Sequence, residues 1–170
     1  MVNKDLTVLE IVTYGHPVLL KKAEVIKSIN QDILDLAEKM VYTMHSAPGL
    51  GLAAPQVNQS VRLITTDLSV GEKNEDLIIL INPEILSHEG EQIMEEGCLS
   101  VPGINEKVTR PNKITIKGID LQEKEREIEA EGLLARILCH EIDHINGKLF
   151  ISHLSPLKRR LIRKKFNKAT

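Results

Sequence analysis

Apolar residues recur along the chain with more than one rhythm. Ile33, Leu34, Leu36, Ala37, Met40, Val41 and Met44 fall at helical spacing and build one apolar face. Asn30 is a favourable N-cap and Ser46-Ala47-Pro48-Gly49 a stop, so a helix is predicted between them. The middle of the chain changes period. Residues 61–66, 77–81, 92–95, 113–119 and 125–131 are β-branched or alternating, and turn residues separate them, Asn82-Pro83 and Pro102-Gly103 most clearly. No helical run intervenes, which predicts antiparallel sheets rather than βαβ units. Helical spacing returns over 133–146, with Gly147 where a C-terminal glycine cap belongs. A last helix starts with Ser155 as N-cap and Pro156 at its first position and runs to about Lys168. The predicted class is α+β, in a single domain over 1–170.

Composition narrows the function. With 170 residues, 42% of them hydrophobic and 27% charged, the chain builds a core without disulfide staples. Its four aromatics (Tyr14, Tyr42, Phe150, Phe166) are too few for a base-stacking platform, so the core must be aliphatic. Two cysteines, Cys98 and Cys139, do not make a secreted disulfide scaffold, and the question becomes whether either does chemistry. The net charge of -2 conceals an asymmetry. Seven Lys or Arg crowd into residues 158–168 and no acid follows Asp143, so an acidic body carries a basic tail. The start of the chain has Lys4, Asp5 and Glu10 and no apolar run of signal-peptide length. No run reaches about 18 apolar residues, so no membrane span is expected and the expected compartment is the reducing cytoplasm.

The most informative stretch is His140-Glu141-Ile142-Asp143-His144, an H-E-x-x-H motif inside a predicted helix. Positions i and i+4 share a helix face, so both imidazoles can reach one metal ion, and Glu141 stands where it can handle protons on a bound water. A helix with two surface histidines is the plainer alternative. The third ligand decides the class. In metzincins a histidine stands six residues after the second His, and here that position is Phe150. Zincins that use a later glutamate find no acid after Asp143. His153 remains possible by type. Cys98, in Glu95-Glu96-Gly97-Cys98-Leu99-Ser100, can complete a Cys-His-His site with a fourth position open, or be a small buried hydrophobe. Cys139 diverges by about 100° from His140 around the helix and reads as core packing. Gly49-Leu50-Gly51-Leu52-Ala53-Ala54-Pro55-Gln56 permits close backbone approach to a ligand, and Gln56 offers an amide donor.

Together these segments resemble the peptide deformylase family. Its patterns G-x-G-L-A-A-x-Q, E-G-C-L-S and H-E-x-D-H stand here at 49–56, 96–100 and 140–144, in family order. The likeness extends to Tyr14-Gly15-His16-Pro17-Val18-Leu19 and to Leu154-Ser155-Pro156-Leu157-Lys158 before a basic helix of the common bacterial form. The resemblance implies antiparallel sheets packed around the helix that carries the H-E-x-x-H motif. It implies removal of the formyl group from N-terminal formyl-methionine of new polypeptides, releasing formate. A metal-bound water would attack the formyl carbon with Glu141 as general base and acid. Metal ligands would be Cys98, His140 and His144, with the Leu99 N–H and the Gln56 amide as oxyanion donors. The ion expected is Fe(II), with Zn, Ni or Co as substitutes.

Spacing also bears on substrate choice. Ile137 and Leu133 lie on the His140 side of the helix, and with Leu50 and Met94 they can line an apolar slot for methionine or be ordinary core. The backbone of Gly51 and Gly97 is expected to bind an extended peptide, as the family pattern implies. Glu96 and Arg110 read as a pair supporting the metal loop, or as a solvated ion pair. The basic terminal helix is expected to favour ribosomal RNA, through charge alone. The rival readings are a metallopeptidase cutting internal bonds and an RNA-binding protein with a vestigial metal site.

Overall fold

A computed structural model describes residues 6–168, so Lys4 and Asp5 of the charged start lie outside the described residues. Helix α1 (Gln31–Ser46) begins where Asn30 Oδ1 accepts the Ile33 N–H at 3.1 Å, as a capping Asn should. Among the described residues seven strands follow in two antiparallel sheets. They are β1 (Gly51–Ala53), β2 (Leu63–Asp67), β3 (Leu77–Glu89), β4 (Gln92–Cys98), β5 (Val101–Arg110), β6 (Lys113–Ile119) and β7 (Glu125–Glu131). One sheet runs β1-β2-β3-β6-β7, and β4 and β5 form the other. Helix α2 (Gly132–Ile145) then crosses the first sheet, and α3 (Pro156–Asn167) closes the described chain. Ser155 caps α3 by accepting the Lys158 N–H at 3.3 Å. The class is α+β, and the motif-bearing helix is central.

Two turn expectations are corrected. Asn82-Pro83 lies inside β3, at a register shift between Ile81 and Glu84, where the pairing partner changes from β2 to β6. A bulge tolerates a residue that cannot donate, and Asn82 supplies the positive φ of 51°. The Asn82 amide also fixes the site by accepting from Ile26 N–H at 2.9 Å and donating to Ile26 O at 2.8 Å. Pro102-Gly103 lies inside β5 rather than ending a strand. The turn is tighter and earlier, because Cys98 already pairs with Val101.

Strand β2 is buried at every position because helices cover both faces of the sheet near it. On one face Leu52, Leu63 and Ile81 pack with Met40 and Met44 of α1. On the other, Ala53, Ile64 and Leu80 pack with Leu138 and Ile142 of α2. A third cluster joins Val101 and Val108 of β5 to Phe150 and Leu154, which precede α3, and to Ile162 of α3. Gly147, at φ 74°, ends α2 with no room for a Cβ, which would stand 2.9 Å from Leu20 O. These packings hold α2 between the free edges of β1 and β4.

A candidate metal centre between two sheet edges

The cleft between those edges has a volume of about 520 Å³ and is walled by β1, β4, the start of β5 and α2. At its inner end three donor atoms converge. Cys98 Sγ lies 3.3 Å from His144 Nε2, which lies 3.1 Å from His140 Nε2. All three ligand atoms fall within 4.8 Å of one another. Nitrogen and sulfur donors at about 2.1 and 2.3 Å from a tetrahedral ion stand about 3.4–3.6 Å apart, so a small divalent cation fits this set with little movement. His140 and His144 are 8% and 1% exposed, and two imidazoles this close cannot both carry charge. Burial holds His144 neutral, as a ligand must be.

The second atoms of these side chains are also held. His140 Nδ1 lies 2.5 Å from Glu96 Oε1, which assigns its proton to Nδ1 and turns the Nε2 lone pair inward. Glu96 in turn accepts from Arg110 Nε and Nη2 at 3.2 and 2.8 Å and from Arg136 Nη1 at 2.8 Å. Burial opposes the Glu96 charge, but the bonds from His140 and Arg110 outweigh it and hold the carboxyl at about 2. Arg110 continues outward to Asp143 Oδ2 at 2.6 Å, and His153 Nε2 lies 2.8 Å from the same oxygen. His153 therefore belongs to this network, away from the three converging donors.

Gln56 is fixed from both ends. Its Oε1 accepts the Ala53 N–H at 2.9 Å, which points Nε2 toward Cys98 Sγ at 3.5 Å and Ser100 Oγ at 3.3 Å. The N-terminal segment clamps both loops: Val12 N–H donates to Gln56 O at 2.8 Å and Tyr14 N–H to Ser100 O at 2.7 Å. Leu99 also borders the cleft. Glu141 lies against Gly51, whose missing side chain leaves its carboxyl room; a Cβ there would overlap Glu141 Oε1 and stand 2.9 Å from Ile137 Cγ2. Burial pushes the Glu141 carboxyl up to about 7. A Cβ at Gly97 would likewise overlap the Asn105 side chain.

Leu50, Gly51, Gly97, Leu133 and Ile137 all border the cleft. Met94 does not, and its side chain is 44% exposed. Cys139 is 4% exposed in the α2 core, and burial pushes its thiol up to about 11. Phe150, at the position where metzincins carry a histidine, is 1% exposed and stacks on His140 with centroids 6.1 Å apart. Sequence reasoning missed Arg136. The available signal was a lone charge in the apolar run Leu133-Leu134-Ala135-Arg136-Ile137-Leu138.

Comparison with known proteins gives one answer. A family model described as polypeptide deformylase matches residues 8–160. The peptide deformylase of Thermodesulfovibrio yellowstonii is 54% identical over 161 residues, covering 95% of this chain and 98% of that protein. Among solved structures, a peptide deformylase from Legionella pneumophila superposes with a TM-score of 0.89 at 44% identity, covering 95% of each chain. That of Ehrlichia chaffeensis in complex with actinonin gives 0.88 at 36% identity, covering 96% of this chain and 98% of that one.

Proposed function

The chain belongs to the polypeptide deformylase family, a family of amide hydrolases, and we propose that its cleft removes the formyl group from N-terminal formyl-methionine of new polypeptides, with a divalent metal held by Cys98, His140 and His144. The observation that carries this reading is the convergence of those three donors beside the buried Glu141 carboxyl. A divalent cation bound there supplies Lewis acidity, which lowers the pKa of water and polarises a carbonyl oxygen. Fe(II) is the expected ion, with Zn, Ni or Co as substitutes.

The residues of the chain do the rest. Glu141 takes a proton from the attacking water and returns it to the departing amine; a carboxyl held up to about 7 by burial does both near neutral pH. Gln56 Nε2 and the Leu99 N–H donate to the oxyanion that forms on the formyl oxygen. Because Ala53 holds the other end of the Gln56 amide, the donor is aimed before substrate arrives. Glu96, charged between Arg110 and Arg136, keeps His140 in its ligating tautomer. β1 ends one sheet and β4 borders the two-stranded one, so an extended peptide adds as a strand beside Gly51 and Gly97. Leu50, Leu133 and Ile137 then take the first side chain.

We place the activity in one catalytic domain in the cytoplasm, where new chains emerge. No helix among the described residues is long and apolar enough to cross a membrane. A Glu141→Gln variant tests the mechanism: it is expected to retain its metal and lose about 10²–10⁴-fold in turnover of a formyl-Met peptide. Unchanged turnover would remove Glu141 from the role of proton carrier.

A further inference from the structure

Three buried side-chain polar atoms have no hydrogen-bond partner among the described residues: Thr66 Oγ1, Glu141 Oε2 and His144 Nδ1. Two of them, Thr66 Oγ1 and Glu141 Oε2, belong to side chains that meet at Gly51. Thr66 pairs directly with Gly51 across the β1–β2 ladder, so its side chain stands on the same face as the missing Gly51 side chain. That is the α2 face, since Ile64 and Ala53, the pair one step along it, pack against Leu138 and Ile142. The place a Gly51 Cβ would fill is taken by the Glu141 carboxyl. Facing positions on paired strands lie about 5 Å apart, the distance one water spans between two polar atoms.

The two residues paired with Thr66 on the flanking strands offer no side-chain group to bond. Gly51 has no side chain, and Ile78, its partner on β3, is apolar. Thr65 makes the contrast: it faces α1, with Oγ1 3.5 Å from Met44 Sδ and 3.5 Å from Leu52 O. A fully buried hydroxyl with no partner is unfavourable, and so is a buried carboxylate oxygen without one. A water needs at least two polar partners, and these two atoms supply them.

We propose that Thr66 is a positioning residue for the reaction, its hydroxyl donating through one water to Glu141 Oε2 and so fixing which carboxylate oxygen faces the cleft. The proposal rests on Glu141 as the proton carrier. With Oε2 held from behind, Oε1 keeps the orientation seen against Gly51, and proton transfer begins from an aligned group. Thr66 touches neither substrate nor metal donors, so its loss acts on kcat and leaves KM unchanged.

Thr66→Val, Thr66→Ser and Glu141→Gln, each metal-loaded, are compared for kcat, KM and thermal midpoint. Thr66→Val is expected to lower kcat about tenfold at constant KM and full metal content, and Thr66→Ser to restore most of it. An unengaged hydroxyl predicts the reverse: Thr66→Val would match or exceed wild-type stability with unchanged kcat, and that result overturns the proposal. If Thr66→Val leaves kcat unchanged while Glu141→Gln is inactive, only the Thr66 role falls. If Glu141→Gln stays active, the proton-carrier reading falls and this one with it. A high-resolution crystal structure is the arm that does not depend on folding of variants. A water within hydrogen-bond reach of both Thr66 Oγ1 and Glu141 Oε2 supports the proposal, and its absence from well-defined density overturns it.

Discussion

At the scale of single residues, the site is defined as much by missing side chains as by present ones. Gly51 leaves the space that Glu141 and Ile137 occupy, so Gly51→Ala must push one of them aside. A displacement of about 1 Å at a catalytic group costs about a hundredfold in rate. We expect kcat of Gly51→Ala to fall by that order while a circular dichroism spectrum stays native; a wild-type kcat would show that the carboxyl is not confined there. This part of the molecule was legible from sequence. The spacing of His140, Glu141 and His144 carries its own geometry once a helix is granted, and Gly51 and Gln56 stood in one short motif. Arg136 was not legible, because its partners on β4 and β5 are set by tertiary packing: Glu96 stands 40 residues away and Val108 28.

At the scale of elements, Glu96 is the tie. From β4 it binds Arg110 of β5 and Arg136 and His140 of α2. Glu96→Ala would leave the Arg136 guanidinium, 3% exposed, without its carboxylate, and Arg110 with Asp143 alone. Breaking a buried pair in this way costs about 3–5 kcal/mol, to be read from urea unfolding. Loss of the Nδ1 partner of His140 should also weaken metal retention about 10–100-fold, measured by competition with a chelator. Unchanged stability and retention would make the pair ornamental. The helices and most strand positions followed from periodicity and capping residues. β5 and the far half of β3 did not, because Pro102 and Pro83 carry the local signature of turns. Only the pairing shows that one stands at the start of a border strand and the other at a bulge.

At the scale of the molecule, the charge asymmetry acquires a direction. Helix α3 docks through Ile162 and through Phe166, whose ring lies 5.1 Å from Tyr14, while Arg159, Arg160, Arg163 and Lys164 remain exposed. Removing the helix would uncover that apolar cluster, so charge is the better variable. Replacing those four residues with Gln is expected to weaken ribosome binding and reduce its salt dependence, with turnover of a short formyl peptide unchanged. Equal binding by the substituted protein would discard the ribosome contact. Sequence revealed the basic run, and the fold separates the part of the helix that packs from the part that faces outward.

The central claim is the reaction itself. Protein purified anaerobically and loaded with Fe(II) should be given a formyl-Met tripeptide beside the same peptide without its formyl group. Formate release from the first, with every internal peptide bond of both left intact, is the predicted result. No formate from the metal-loaded protein, or cleavage of an internal bond, would contradict it.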